Sequence, residues 1–432
     1  MVVVGAMSTR PSLRTEVLAG ITTFVTMAYI VVVNPAILAT QGTGMSFSGV
    51  MTATVLLATT MTLFMGLYAR LPFAVAPGMG VNAFFTYSII LGRGVPWPVA
   101  LGIVFWAGVL FVAVSATPLR RMIAEAIPPT LRIAAAAGIG LFIAFIGLKN
   151  AGLVVADAVT FVKLGSLTPT VLLSVLGLFL CVVLTARKVP GAFLLAMAAV
   201  TALGIAFGHV KAPTHFISPP DFSSVFFKLD ALGALKLAFV PALLSILFTD
   251  LFDSISTFVG VAQATGLKDE RGQPLRLQQG LVVDAFATLT AGLFGTSSGT
   301  AYIESVAGIE AGGRTGRTAV VTALCFIPCF FLAPLAAAVP AYATAPVLIV
   351  VGAMMFRCVS ELKLARFEDL IPAFLTAVLI PLTFSITQGI LWGFMAHVAL
   401  YVAAGRRREV APLMYGLAAI SAGLLWMEHG GG

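Results

Sequence analysis

Apolar residues gather along this chain into long blocks separated by short polar gaps, without the alternation that marks a half-buried strand. A helix needs roughly 20 apolar residues to cross the ~30 Å hydrocarbon core of a bilayer, and blocks of about that length recur from one end to the other. The pattern predicts spans near 15–40, 48–69, 73–91, 95–117, 131–148, 169–185 and 190–208. It predicts seven more near 237–263, 279–294, 296–311, 317–338, 341–357, 369–386 and 388–404. A polar stretch, 209–236, separates the two sets. A final apolar run, Ala411 to Met427, is expected at the membrane interface.

Two blocks carry polar, glycine-rich backbone where hydrocarbon is expected. One is Ala76-Pro77-Gly78-Met79-Gly80-Val81-Asn82, and the other runs from Gly295 through Thr296, Ser297, Ser298, Gly299, Thr300, Ala301, Tyr302 and Ile303 to Glu304. Backbone polar groups inside a bilayer must be satisfied, so an interrupted helix persists only where protein or a solvated cavity surrounds it. Paired interruptions in two halves of a chain mark the substrate site of a secondary transporter. The third and tenth segments are therefore expected to be broken helices.

Composition places the chain in the polytopic all-α membrane class and leaves no room for a soluble domain. Of 432 residues 59% are hydrophobic and 10% charged, with a mean hydropathy of +1.05. Charge placement tests the segment count, because short cytoplasmic loops hold an excess of Lys and Arg. With the N-terminus inside, all but six of the 25 basic residues fall inside, among them Arg10, Arg14, Arg120, Arg121, Arg271, Arg276, Arg314 and Arg406. Arg93, Lys149, Lys163, Lys211, Lys228 and Lys236 fall outside. Both termini are thus expected to be cytoplasmic, with the protein in an inner or plasma membrane. These loops account for the net charge of +8 without a nucleic-acid partner. The run from Thr15 to Thr40 is too long for a signal-peptide core, lacks a small-residue cleavage site and is followed by many further spans.

Equivalent features of the two halves lie about 220 residues apart: Thr15 and Leu237 open their first spans, and Gly80 and Thr300 sit at similar depth. Duplicating an odd number of spans reverses orientation, so seven plus seven predicts an inverted repeat with the broken helices face to face. The expected organisation is a first repeat over 1–208, an outer linker over 209–236, a second repeat over 237–404 and a tail over 405–432. Cys181, Cys325, Cys329 and Cys358 fall in or at the ends of spans, and no His or carboxylate stands near the Cys325–Cys329 pair. No metal or other cofactor is expected.

Ionisable residues are costly in hydrocarbon and are functional candidates there. Asp250 and Asp253 share one helical face at i, i+3, Glu304 closes the second interruption, and Asp284 stands early in the ninth span, where interaction with the helix dipole is an equal alternative. A carboxylate offers two acceptors side by side, matching adjacent N–H donors on a heterocycle, while the Asn82 amide offers a donor and an acceptor. This set suits a flat, neutral, hydrogen-bonding ligand such as a nucleobase. Glycines such as Gly80 permit close backbone approach, whereas Gly138 and Gly140 are expected only to pack helices. Phe24, Phe84, Phe85 and Tyr302 are of a type that stacks on rings, with core packing as the plainer role for each.

At these same residues the chain resembles a known family. Thr22 to Ile30 with Asn34-Pro35-Ala36-Ile37-Leu38, Ala76 to Phe85, Asp250 to Asp253, Tyr302-Ile303-Glu304-Ser305 and Gly312-Gly313-Arg314-Thr315-Gly316 look, in order, like the AzgA-like purine permeases of the nucleobase-ascorbate transporter superfamily. The resemblance implies fourteen segments in two inverted repeats, split into a core and a gate domain. It implies import of hypoxanthine, guanine or adenine by proton symport with alternating access, purine binding by Asp250 and Glu304 assisted by Asn82, and support from Gly80 and Asp253. Thr300, Tyr302 and Phe24 join the supporting set. Glu304 or Asp253 is the expected proton carrier. The chain departs from the family pattern at Ser256, Gly299 and Ala301, which bears on purine choice and pocket volume. Uracil or xanthine is the neighbouring substrate class, and a homodimer is compatible with the pattern. Anion transport is disfavoured because three carboxylates would repel an anion. A channel fits composition alone, and an aspartyl protease would need its two aspartates on separate helices.

Overall fold

The computed structural model describes residues 11–115, 117, 126–269 and 272–429, so Arg10, Arg120, Arg121 and Arg271 of the charge argument lie outside the described residues. The first half comprises α1 (Leu13–Met27), α2 (Ile30–Leu38), α3 (Phe47–Phe64), β1 (Val75–Pro77), α4 (Met79–Ala83), α5 (Trp97–Ser115), α6 (Pro129–Asn150), a hairpin of β2 (Val154–Asp157) and β3 (Phe161–Leu164), α7 (Pro169–Ala186) and α8 (Ala192–Ala206). The second comprises α9 (Val240–Thr265), α10 (Leu277–Phe294), β4 (Gly299–Ala301), α11 (Ser305–Glu310), α12 (Gly316–Phe326), α13 (Ala333–Ala337), α14 (Ala341–Phe356), α15 (Phe367–Leu382), α16 (Ile386–Ala403) and α17 (Pro412–His429). Among the described residues nine helical stretches are long and apolar enough to cross a membrane, taking α1 with α2 as one. The remaining blocks hold shorter helices. Serine and threonine side chains at the polar gaps cap their starts: Ser12, Ser46, Thr168, Thr315 and Ser385 each accept a backbone N–H of the first turn.

The interrupted blocks behave as the pattern predicts. Extended β1 follows Arg70 and leads into α4, which continues as a wider-wound stretch over Phe84–Gly92; extended β4 precedes α11. Helix packing repeats between the halves. α1 lies on α12 as α9 lies on α5, α12 on α3 as α5 on α10, and α7 on α14 as α15 on α6. Such exchange is what a two-fold axis imposes, and it divides the bundle into a core (α1–α5 and α9–α12) and a gate (α6–α8 and α14–α16). At the centre of the gate α6 crosses α14, where a Cβ at Gly140 would stand 2.6 Å from the Gly352 carbonyl oxygen and a Cβ at Gly352 would strike that of Gly140. Small residues there let two backbones touch, the packing role expected of Gly140.

Contacts between loops join segments assigned to one face. On the side of the linker, Asp230 N–H donates to Pro98 O, Phe227 N–H to Leu293 O and Ser218 N–H to Phe331 O, while the Asp221 carboxylate collects the hydroxyls of Ser46, Ser48, Ser223 and Ser224. The linker is thereby laced to the ends of four core segments. On the opposite side Arg276 reaches Ala69 O, buried Glu16 accepts from Thr318 and the Arg314 N–H, and Arg406 pairs with Glu368. α17 seats Leu424 and Leu425 on Leu391 of α16, so the last apolar run packs on the gate.

Candidate site at the crossing of the two broken helices

β1 and β4 pair antiparallel, with Val75 opposite Ala301, Ala76 opposite Thr300 and Pro77 opposite Gly299. Two further backbone bonds, Gly78 N–H to Ser298 O and Tyr302 N–H to Ala74 O, extend the ladder at both ends. Each interruption thus satisfies the other's backbone, which is how non-helical chain survives at this depth. The strand sides are held by Thr62, whose hydroxyl bonds both Val75 N–H and Val75 O, by Ser305 accepting from Ala74 N–H, and by the Tyr302 hydroxyl donating to Pro77 O.

Around this crossing stand the polar residues singled out from the sequence. Asp250, 2% exposed, accepts from Ser298 at 2.6 Å on one carboxylate oxygen and from Thr288 at 2.8 Å on the other. Asp253, one turn on, accepts from Thr300 at 3.4 Å. Glu304 ends the second interruption and accepts the Tyr29 hydroxyl at 2.6 Å. The Asn82 amide oxygen, on α4, accepts from Ser297. Asp284 is fully buried and one of its carboxylate oxygens takes the Ser254 hydroxyl, tying α10 to α9.

A small cavity of about 20 Å³ lies beside this network, large enough for about one water molecule by the ~10–15 Å³ that one requires. Gly78, Gly80, Val81, Thr249, Phe252 and Asp253 of the core form one wall, and Ala135, Ala136, Ile139, Met355 and Ile390 of the gate form the other. It therefore sits on the boundary between the two domains. Of the residues expected to serve the site, Gly80 and Asp253 line this cavity; Asp250, Asn82, Thr300 and Glu304 form a hydrogen-bonded shell around the strands. The Tyr302 phenol is committed to Pro77, and Phe24 packs edge-on against Phe326 with centroids 5.0 Å apart.

The profile of the Permease family matches residues 14–392. The chain belongs to that family. It is 42% identical over 400 residues to the adenine permease AdeP of Escherichia coli strain K12, covering 92% of this chain and 89% of the relative. It is 40% identical over 412 residues to the guanine/hypoxanthine permease PbuO of Bacillus subtilis strain 168, covering 93% and 95%. The purine-permease resemblance read from the motifs therefore stands. The transmembrane domain of a cyanobacterium bicarbonate transporter, BicA, superposes with a TM-score of 0.62 over 90% of this chain and 98% of that one at 17% identity, which establishes a shared fold.

Several members of this permease's polar network had no role assigned from the sequence, although Asn34, Thr296, Ser297 and Ser298 lie in the motifs it singled out. Asn34 donates to Thr54 at 2.7 Å and Thr296 at 2.9 Å, tying α2 and α3 to the start of the second interruption. Thr288, Ser297 and Ser298 each bond a site side chain, and the buried Thr249 hydroxyl, in the cavity wall, has no hydrogen-bond partner. Hydroxyls are frequent in membrane helices, where they bond their own backbone. Only their position against Asp250 or Asn82 separates these from the rest.

Proposed function

We propose that this membrane permease imports a purine nucleobase, hypoxanthine, guanine or adenine, by proton symport with alternating access of the core against the gate. The observation that carries the reading is the domain-boundary cavity lined by Asp253 and Gly80, beside the crossing of the two interruptions, where Ser298 bonds Asp250, Ser297 bonds Asn82 and Glu304 ends the second interruption. The relatives bearing purine-permease names support it. Ionised Asp250 and Glu304 accept ring N–H and exocyclic amino donors, and Asn82 completes the edge. A carboxylate has about four lone-pair positions, so Asp250 keeps its bonds to Ser298 and Thr288 while accepting more. Asp253 or Glu304 carries the coupled proton. Asp250, Asp253 and Glu304 make an anionic substrate unfavourable, although the fold is shared with an anion carrier. Both termini are cytoplasmic in this reading, as the basic loops require.

Uptake of radiolabelled hypoxanthine, guanine, adenine, uracil and xanthine into transport-deficient cells, with and without a proton uncoupler, tests it. Saturable, uncoupler-sensitive uptake of a purine is expected. Uptake restricted to uracil or xanthine would overturn the substrate class, and uncoupler-insensitive uptake would overturn the coupling.

A further inference from the structure

We infer that Tyr29 is a positioning residue that sets the Glu304 carboxylate according to where the gate helix α8 stands, an inference that rests on the import reading above. Tyr29 lies in the break between α1 and α2 and is 1% exposed. Its hydroxyl donates to Glu304 Oε1 at 2.6 Å, across 275 residues of chain. Its ring meets Phe193 of α8 edge-on, centroids 5.1 Å apart and planes at 88°. One aromatic side chain thus touches a carboxylate of the core with its hydroxyl and an aromatic residue of the gate with its ring.

The neighbouring contacts make that link directional. Val25 stands one helical turn before Tyr29, and the two share a face of the first segment. Gly191, at the start of α8, has φ of 72° and lies so near that a Cβ on it would stand 2.7 Å from Val25 Cγ1. The beginning of α8 is therefore seated on the Val25–Tyr29 face, and it cannot move without releasing the Tyr29 ring. Glu304 opens α11, a helix of 6 residues after the extended strand, and the side chain seen to hydrogen-bond its carboxylate is Tyr29. When the gate shifts, the ring loses Phe193 and the hydroxyl is free to turn away, leaving Glu304 to a purine N–H or a proton. Site chemistry and domain position are coupled through one phenol.

The test measures purine uptake and purine-induced thermal stabilisation for wild type, Tyr29→Phe, Phe193→Ala and the double variant, each recovered as folded protein. Tyr29→Phe keeps the ring and removes the donor that competes with purine for Glu304, so KM is expected to fall about tenfold, as loss of a hydrogen bond to a charged group in the ligand-free state implies. Phe193→Ala keeps the donor and removes the gate contact, so Vmax is expected to fall severalfold with KM within about twofold. The double variant is expected to show less than the combined effect, because both changes break one linkage. Wild-type KM in Tyr29→Phe, or strictly additive effects, would overturn the inference while leaving the import reading intact. Should Tyr29→Phe not fold, Phe193→Ala decides alone, since unchanged Vmax removes the link to the gate. Wild type that takes up no purine overturns the import reading and this inference together.

Discussion

The core crossing and the gate crossing solve the same two-fold problem with opposite materials. Where β1 meets β4, backbone pairs with backbone and hydroxyls of Thr62, Ser298 and Thr288 fill the remaining positions. Where α6 meets α14, Gly140 and Gly352 bring two intact helices into contact with no side chain between them. The first arrangement is directional, because each hydrogen bond fixes a distance and an angle. The second is smooth, because close packing of small residues depends on shape alone. The cavity lies where the directional region meets the smooth one. In the proposed import cycle a purine would be recognised by the directional core and enclosed by the smooth gate, so that recognition is kept as the domains shift.

That contrast is open to direct attack, and the largest effect is expected on the directional side. Glu304→Gln keeps the volume and one acceptor but removes the charge; uptake is expected to fall on the order of 10- to 100-fold, with thermal stability in detergent close to wild type. Retained, still proton-dependent uptake would strip Glu304 of its role. On the smooth side, Gly140→Leu forces a side chain into the Gly352 backbone and is expected to cost about 1–3 kcal/mol of stability, read as lower folded yield and melting temperature. Protein that does fold should keep the wild-type ranking of purines, and a changed ranking would mean that the gate also selects.

A third substitution probes the boundary itself. A Cβ at Gly80 would lie 2.6 Å from Ile139 Cγ2 of the gate. Gly80→Ala is therefore expected to lower Vmax a few-fold, and Ile139→Ala in the same chain to restore it. Failure of that rescue would assign Gly80 a role in ligand contact instead of clearance.

The smallest effect concerns the linker. Burial opposes ionisation of Asp221, but the hydroxyls of Ser224, Ser48 and Ser223 and the Ser224 N–H outweigh it and hold the carboxyl well below the usual range. A group lowered on folding contributes its stability above its unfolded value of about 3.9, and loses it as pH falls through the folded value. Melting temperature is thus expected to be flat in this contribution from pH 5 to 8 and to decline only in stronger acid. Asp221→Asn should remove that acid limb alone, and a decline at neutral pH would point to another group.

The helical membrane class, the inverted repeat and the two interruptions were legible in the chain, because a bilayer imposes length and apolarity on crossing helices and tolerates broken ones only where protein or a solvated cavity surrounds them. The carboxylates were legible for the same reason, since Asp250, Asp253 and Glu304 stand out against hydrocarbon. What only the tertiary structure decided is which neighbour each polar group meets. Asp253 rather than Asp250 lines the cavity, Asp250 braces the second interruption through Ser298 and Thr288, and Tyr29 reaches Glu304 from the far end of the chain. Those partners lie between 38 and 275 residues away. Hydrophobic periodicity records which side of a helix is buried and carries no register between distant segments, so hydrogen bonds between segments, within a half or across the two, become visible only once the chain is folded.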